Sequence, residues 1–183
     1  GVDVLLRIHF LPAARLVQVN ERWRISKDDG FLMGMSTGFF KRKVENEEIE
    51  SREENRIIQL YTSDTADALY IEPMESLALD SDGVITLQYA LKHAIESIFQ
   101  IEPRELAACS MGAGEHPNIF IYEATEGSLG ILSQFTDDVE IFNKVVTEAF
   151  RICRFEDQDY QAPASYDDLL SYYNQRFHLI IDR

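Results

Sequence analysis

The chain has 183 residues, 45% of them hydrophobic and 11% aromatic, enough apolar material to fill the core of one domain or of two small ones. Lys and Arg number 17 against 32 Asp and Glu, a formal net charge of -15, so the long-range field repels phosphate backbones and anionic membrane surfaces and disfavours nucleic-acid binding by the isolated chain. Two cysteines, Cys109 and Cys153, are too few for a disulfide framework or a four-thiolate zinc site, and with no secretory leader and no apolar run near the ~20 residues of a membrane span they predict a soluble protein of the reducing cytoplasm.

Gly1 leads straight into an apolar, strand-like run from Val2 to Ile8 with no initiator Met, which reads as a piece of a longer polypeptide. Arg15 to Asn20 alternates polar and apolar residues, Asn20 to Gly30 supplies turn chemistry, and Phe31 to Met35 resumes an apolar run, so a hairpin is predicted. The stretch from Lys41 to Arg56 has almost no apolar content and is expected to be a charged surface insertion at about 41–56. Strands are predicted at Ile57 to Tyr61 and at Ala68 to Glu72, flanking a tight connection at Thr62 to Thr65.

A turn at Asp80 to Gly83 precedes a helix from Thr86, whose apolar positions Leu87, Leu91, Ala94, Ile95 and Ile98 share a face. Pro103 to Leu106 can start a second short helix with proline in its first turn. Asn118 to Tyr122 reads as a buried strand, followed by a glycine-containing loop from Glu123 to Gly130. Thr136 can cap the next helix, in which Val139, Phe142, Val145, Val146, Ala149, Phe150 and Cys153 fall at helical spacing. Ser165 can cap a last one, with Asp167 and Asp168 ahead of Leu169, Leu170 and Tyr173. Strands first and helices mostly later predict an α+β fold, a largely antiparallel sheet with amphipathic helices packed on it, in one domain over 1–183.

Few motifs carry chemistry. Met111 to Glu115 contains GxG, but His116-Pro117 leads from it into a strand, whereas a dinucleotide site needs a helix opening on the glycines. Glu123 and Glu126, with Asp137 and Asp138 beyond, form an oxygen donor set for a divalent metal, and Gly127 permits close backbone approach. This is the basis for an alternative reading as a metal-dependent nuclease or phosphohydrolase. Against it, carboxylates crowding a phosphate cradle repel its ligand. His9, His93, His116 and His178 fit no metal spacing, and Cys153 lies on an apolar stripe as an inert thiol.

The terminal stretch Ser165-Tyr166-Asp167-Asp168-Leu169-Leu170-Ser171-Tyr172-Tyr173-Asn174-Gln175-Arg176-Phe177-His178, with Asp182-Arg183 after it, resembles the segment that closes the helicase-associated C-terminal domain of MrfA-type repair helicases and of component B of the DISARM phage-defence system. Ile85 to Leu91, Ile101 to Leu106, Ile119 to Gly127, and Asn20 to Arg24 followed by Gly30-Phe31 are similar to further landmarks of that family. Repair helicases of the family hold zinc with four cysteines near the end of the domain. Here Cys153 retains the first position while Ser165 and Asp168 occupy two others, so the resemblance implies a degenerate site without zinc or any other cofactor.

The resemblance implies a non-catalytic interaction domain that docks on a helicase subunit, or on the helicase core of the same polypeptide, and contacts DNA only within that complex. The residues expected at partner or nucleic-acid contacts are Arg22, Trp23, Arg24, Glu123, Glu126, Gly127, Tyr172, Tyr173, Asn174, Gln175 and Arg176. Direct single-strand binding by Trp23, Tyr172 and Tyr173, with Arg22, Arg24 and Arg176 supplying charge, is a third reading, which the net charge opposes.

Overall fold

The computed structural model describes residues 4–24, 26–41, 54–112, 117–125 and 127–183. The expectations for the charged stretch at 42–53, for Gly114, for His116 and for Glu126 lie outside the described residues. The fold is α+β, as predicted, and the ladders β2–β3, β2–β4, β5–β7 and β6–β7 are all antiparallel. Two compact units form, Gly1–Ala14 with Ala66–Arg183 and, separately, Arg15–Thr65. Among the described residues no helix is long and apolar enough to cross a membrane.

The larger unit is organised by a four-stranded sheet in the order β1-β5-β7-β6, with β1 at Leu6–Asn20, β5 at Leu60–Pro73, β6 at Leu106–Met111 and β7 at Asn118–Glu123. Side chains alternate across a strand, so the register Leu69↔Ile121, Ile71↔Ile119 and Ala108↔Ile121 gathers these residues on one face. Leu69, Ile71, Ile119 and Ile121 are at most 2% exposed. Burying an aliphatic side chain of this size contributes about 1.5–3 kcal/mol, which makes this face the energetic centre of the unit.

Helix α1, Ser81–Phe99, joins that core through Val84, Leu91, Ala94 and Ile95, and Ser110 Oγ of β6 donates to Gln88 Oε1 of α1 at 3.0 Å. The helix begins before the predicted Thr86 because Asp80 caps it, accepting from Gly83 N at 2.8 Å. Helix α3, Val139–Ile152, packs Val145 and Ala149 into the same core, to which Leu169 and Ile181 also belong. Its cap is Asp138 rather than Thr136, which lies in the short helix α2, Gln134–Asp137.

The predicted helix at Pro103 to Leu106 does not form. Glu105 N donates to Glu102 O at 2.9 Å in a turn, and the small uncharged run Leu106–Met111 becomes strand β6, paired with β7 along its whole length. The predicted connection at Thr62 to Thr65 is also absent, since β5 runs through it unbroken.

The smaller unit holds a three-stranded sheet in the order β3-β2-β4, with β2 at Phe31–Gly34, β3 at Phe40–Lys41 and β4 at Asn55–Ile58. The predicted pairing of β2 with the strand before it is replaced by these ladders. Gly30 explains the entry into β2: its φ is +82°, and a Cβ there would stand 2.3 Å from Ile57 Cγ2 of β4. Trp23, Phe31 and Phe40 pack edge to face, their centroids 5.1, 6.1 and 5.9 Å apart, and form the apolar centre of this small sheet.

Candidate functional site

The loop after β7 does bind an anion through its backbone, and the anion is its own. Glu123, 1% exposed at the end of β7, directs its carboxylate back into residues 128–132. Oε2 accepts from Ser128 Oγ at 2.6 Å, from Gly130 N at 3.1 Å and from Leu129 N. Oε1 accepts from Ile131 N at 2.8 Å and Leu132 N at 2.9 Å. Successive N–H groups converging on one carboxylate form an anion nest. Gly127 and Gly130 give the loop its path, at φ of +91° and +66°. Ser128 Oγ also lies 2.9 Å from Asp67 Oδ2, and Asp67 Oδ1 accepts from Ala13 N, so the nest is tied to its neighbouring strands. Glu123 has no lone pair left for a metal ion.

The SYYNQ motif divides into fasteners and outward-facing residues. It forms a 3-10 turn over Tyr172–Phe177. Asn174, fully buried, donates from Nδ2 to Leu169 O at 2.8 Å and accepts from Ser171 N at 2.8 Å through Oδ1. His178 Nε2 lies 3.0 Å from both Ser171 O and Asn174 Oδ1, two acceptors, so that nitrogen carries the proton. Tyr172 and Tyr173 stand outward at 75% and 60% exposure, their rings edge to face at 5.7 Å. Gln175 and Arg176 are exposed beside them, with the Arg176 guanidinium 4.5 Å from the Phe177 ring centroid.

In the smaller unit Arg22 and Arg24 are exposed and Trp23 keeps 39% of its surface in solvent. The Arg22 guanidinium lies 3.6 Å from Asp29. The hollow beside Trp23, lined also by Asp28, Asp29 and Lys41, has about 30 Å³, room for a water or two and far too little for a nucleotide base.

Cys153, Ser165 and Asp168, where the resemblance puts zinc ligands of the family, make a different structure. The Asp168 carboxylate accepts from Ser165 N at 2.6 Å, from Ser165 Oγ at 2.7 Å, from Leu169 N at 2.5 Å and from Tyr160 OH. Burial opposes its ionisation, yet the hydrogen bonds from Tyr160, Ser165 and Leu169 outweigh burial and hold the carboxyl below the usual carboxylate range. Burial first, and then the Asp168 charge, push the Cys153 thiol up to about 11, against a smaller opposite effect of Arg183. Zinc is held by thiolate sulfur, imidazole nitrogen or carboxylate oxygen with lone pairs free to donate. A serine, a carboxylate with its oxygens already taken and a nearby guanidinium do not suit it. Among the described residues no three His, Cys, Asp or Glu side chains are grouped to share a metal ion.

Sequence reasoning missed Arg183, whose guanidinium reaches four carbonyls of this region, and missed that Tyr160 bridges it to Asp168. Only the terminal Asp-Arg pair of the motif hinted at it.

Residues 87–157, from α1 to just beyond α3, match the family model described as the MrfA Zn-binding domain. Two solved structures are also similar. One is the DUF1998 helicase MrfA bound to DNA, at 12% identity over 93% of this chain and 24% of that chain, with a TM-score of 0.46. The other is the same helicase bound to DNA and AMPPNP, at 15% identity over 100% of this chain and 23% of that chain, with a TM-score of 0.44. The chain therefore spans about a quarter of the length of those helicase chains, 24% and 23%. No curated protein matches it. Residues 87–157 are thus where the chain is similar to the MrfA Zn-binding domain.

Proposed function

We propose that the chain is a non-catalytic accessory domain of a bacterial DNA-helicase or DISARM-like phage-defence system. It docks on a helicase motor, as a subunit or as part of the same polypeptide, and helps to position DNA there. The observation that carries this reading is the match of residues 87–157 to the MrfA Zn-binding domain; MrfA is a helicase in the solved structures, where it is bound to DNA. The exposed Tyr172, Tyr173 and Arg176 support it, because aromatic residues and arginine dominate the energetics of protein interfaces. A net charge of -15 favours a basic partner over free DNA, so nucleic acid is met inside the complex. The metal-dependent nuclease reading loses Glu123 to the loop's own N–H groups.

The test is the affinity of the chain for the helicase motor encoded with it, measured for the unaltered chain and for a Tyr172→Ser/Tyr173→Ser double variant. These side chains stand in solvent, so the variant should keep its thermal midpoint while its affinity falls about tenfold or more. Equal affinities, or no association of the unaltered chain, would contradict the proposal.

A further inference from the structure

We propose that Arg183, Tyr160 and Asp168 form a metal-free clasp that closes residues 153–183 in the place where the family resemblance puts a zinc ion.

The clasp is built around one guanidinium. Arg183 Nη1 donates to Cys153 O and Arg154 O, each at 3.3 Å, Nε donates to Ala162 O at 3.2 Å, and Nη2 donates to Tyr160 O. Cys153 is the residue that ends α3, so the first of these bonds puts a positive charge against the carbonyls left open at a helix C-terminus. The same guanidinium lies 4.7 Å from the Tyr160 ring centroid, and Arg154 approaches that ring at 4.8 Å. Tyr160 OH donates to Asp168 Oδ2, and Asp168 holds the Ser165 turn through its other hydrogen bonds. Arg183 N donates to Pro163 O at 3.1 Å.

The connections therefore run from the end of α3, through the loop at 160–163, to the turn at 165–169 and the last residue described. A tetrahedral zinc gathers four ligands from separate points of a chain; here a planar cation gathers four carbonyl oxygens, and a tyrosine carries the link on to a carboxylate. A dication would have to enter beside the guanidinium and strip Asp168 of its donors. The geometry suits the arginine and excludes the metal on the same grounds.

The experiment uses the full chain. Zinc is quantified by elemental analysis, and thermal unfolding is followed with and without a strong zinc chelator for the unaltered chain, Arg183→Lys, Arg183→Gln and Tyr160→Phe. The unaltered chain should carry no stoichiometric zinc and should unfold at the same temperature with chelator present. Arg183→Lys, which keeps the charge but cannot serve four carbonyls, should lower the midpoint by about 5 °C, and Tyr160→Phe by less. The loosened variants should also be cut by protease first within residues 154–165. Should Arg183→Gln fail to fold, the clasp is supported provided that the unaltered chain ignores chelation. Stoichiometric zinc, a midpoint that falls on chelation, or an Arg183→Lys chain as stable as the original would each overturn the proposal.

Discussion

At the end of β7 the Glu123 carboxylate serves Ser128 Oγ and the backbone N–H groups of residues 129–132, so removing it strands the buried N–H groups of Ile131 and Leu132. Glu123→Ala should destabilise the chain by about 3 kcal/mol or more, measured by denaturant unfolding, since each orphaned buried donor costs about 1–3 kcal/mol. Glu123→Gln should also destabilise it, because the amide NH2 turns a donor toward donors. A Glu123→Ala chain of unchanged stability would show that the nest is not formed. The sequence displayed the ingredients of this nest, glycines in a loop between a strand and a helix with a glutamate at its start. It did not display that the loop folds back onto that glutamate, because the partners are five to nine residues away and their role is played by the backbone. Asn174 was misleading in the same way: the motif marked it as important, and only the packing separates the buried fastener from its exposed tyrosine neighbours.

Among the elements, α1 and α3 are joined at one polar point as well as through the core. Ser97 Oγ of α1 donates to Glu148 Oε1 of α3 at 2.6 Å, and Arg151 Nε and Nη2 donate to the same carboxylate at 2.7 Å each. The Arg151 hydrogen bonds lead in holding the Glu148 carboxyl down to about 2, against 4.5 when unperturbed, with a smaller contribution from Ser97. Because the folded value lies below the unfolded one, the carboxylate's contribution to stability is complete above pH 4.5 and is lost as the pH falls through about 2. The thermal midpoint of Glu148→Gln should therefore sit below that of the unaltered chain by a constant small margin from neutral pH to about 4.5, and the two should converge toward pH 2. A margin that does not change with pH would rule this tether out. Helix α3 was legible because its apolar residues keep a 3.6-residue period. Strand β6 was not: Leu106–Met111 is a short run of small residues after a proline, and it becomes a strand because β7 is there to pair with. The helix expected after Ser165 is a turn and a 3-10 segment, because Asp168 is drawn to Tyr160 and Ser165.

For the molecule as a whole, the order of strands and helices pointed to the α+β class, the net charge to an acidic chain, and the terminal motif to the MrfA-type likeness that residues 87–157 also show. The division into two compact units was less legible, because its boundaries fall within the continuous strands β1 and β5, with no linker composition to announce them. The proposed function has a chain this acidic, whose most suggestive carboxylate is bound up in its own loop, act on DNA through another protein. The direct test is a strand-separation assay with the helicase motor encoded with it, run with the motor alone, the chain alone and the two together. The chain alone should neither separate nor cleave DNA, with or without Mg²⁺, and adding it to the motor should change the unwinding rate in a saturable way. DNA processed by the chain alone, or a motor indifferent to a saturating amount of it, would contradict that account.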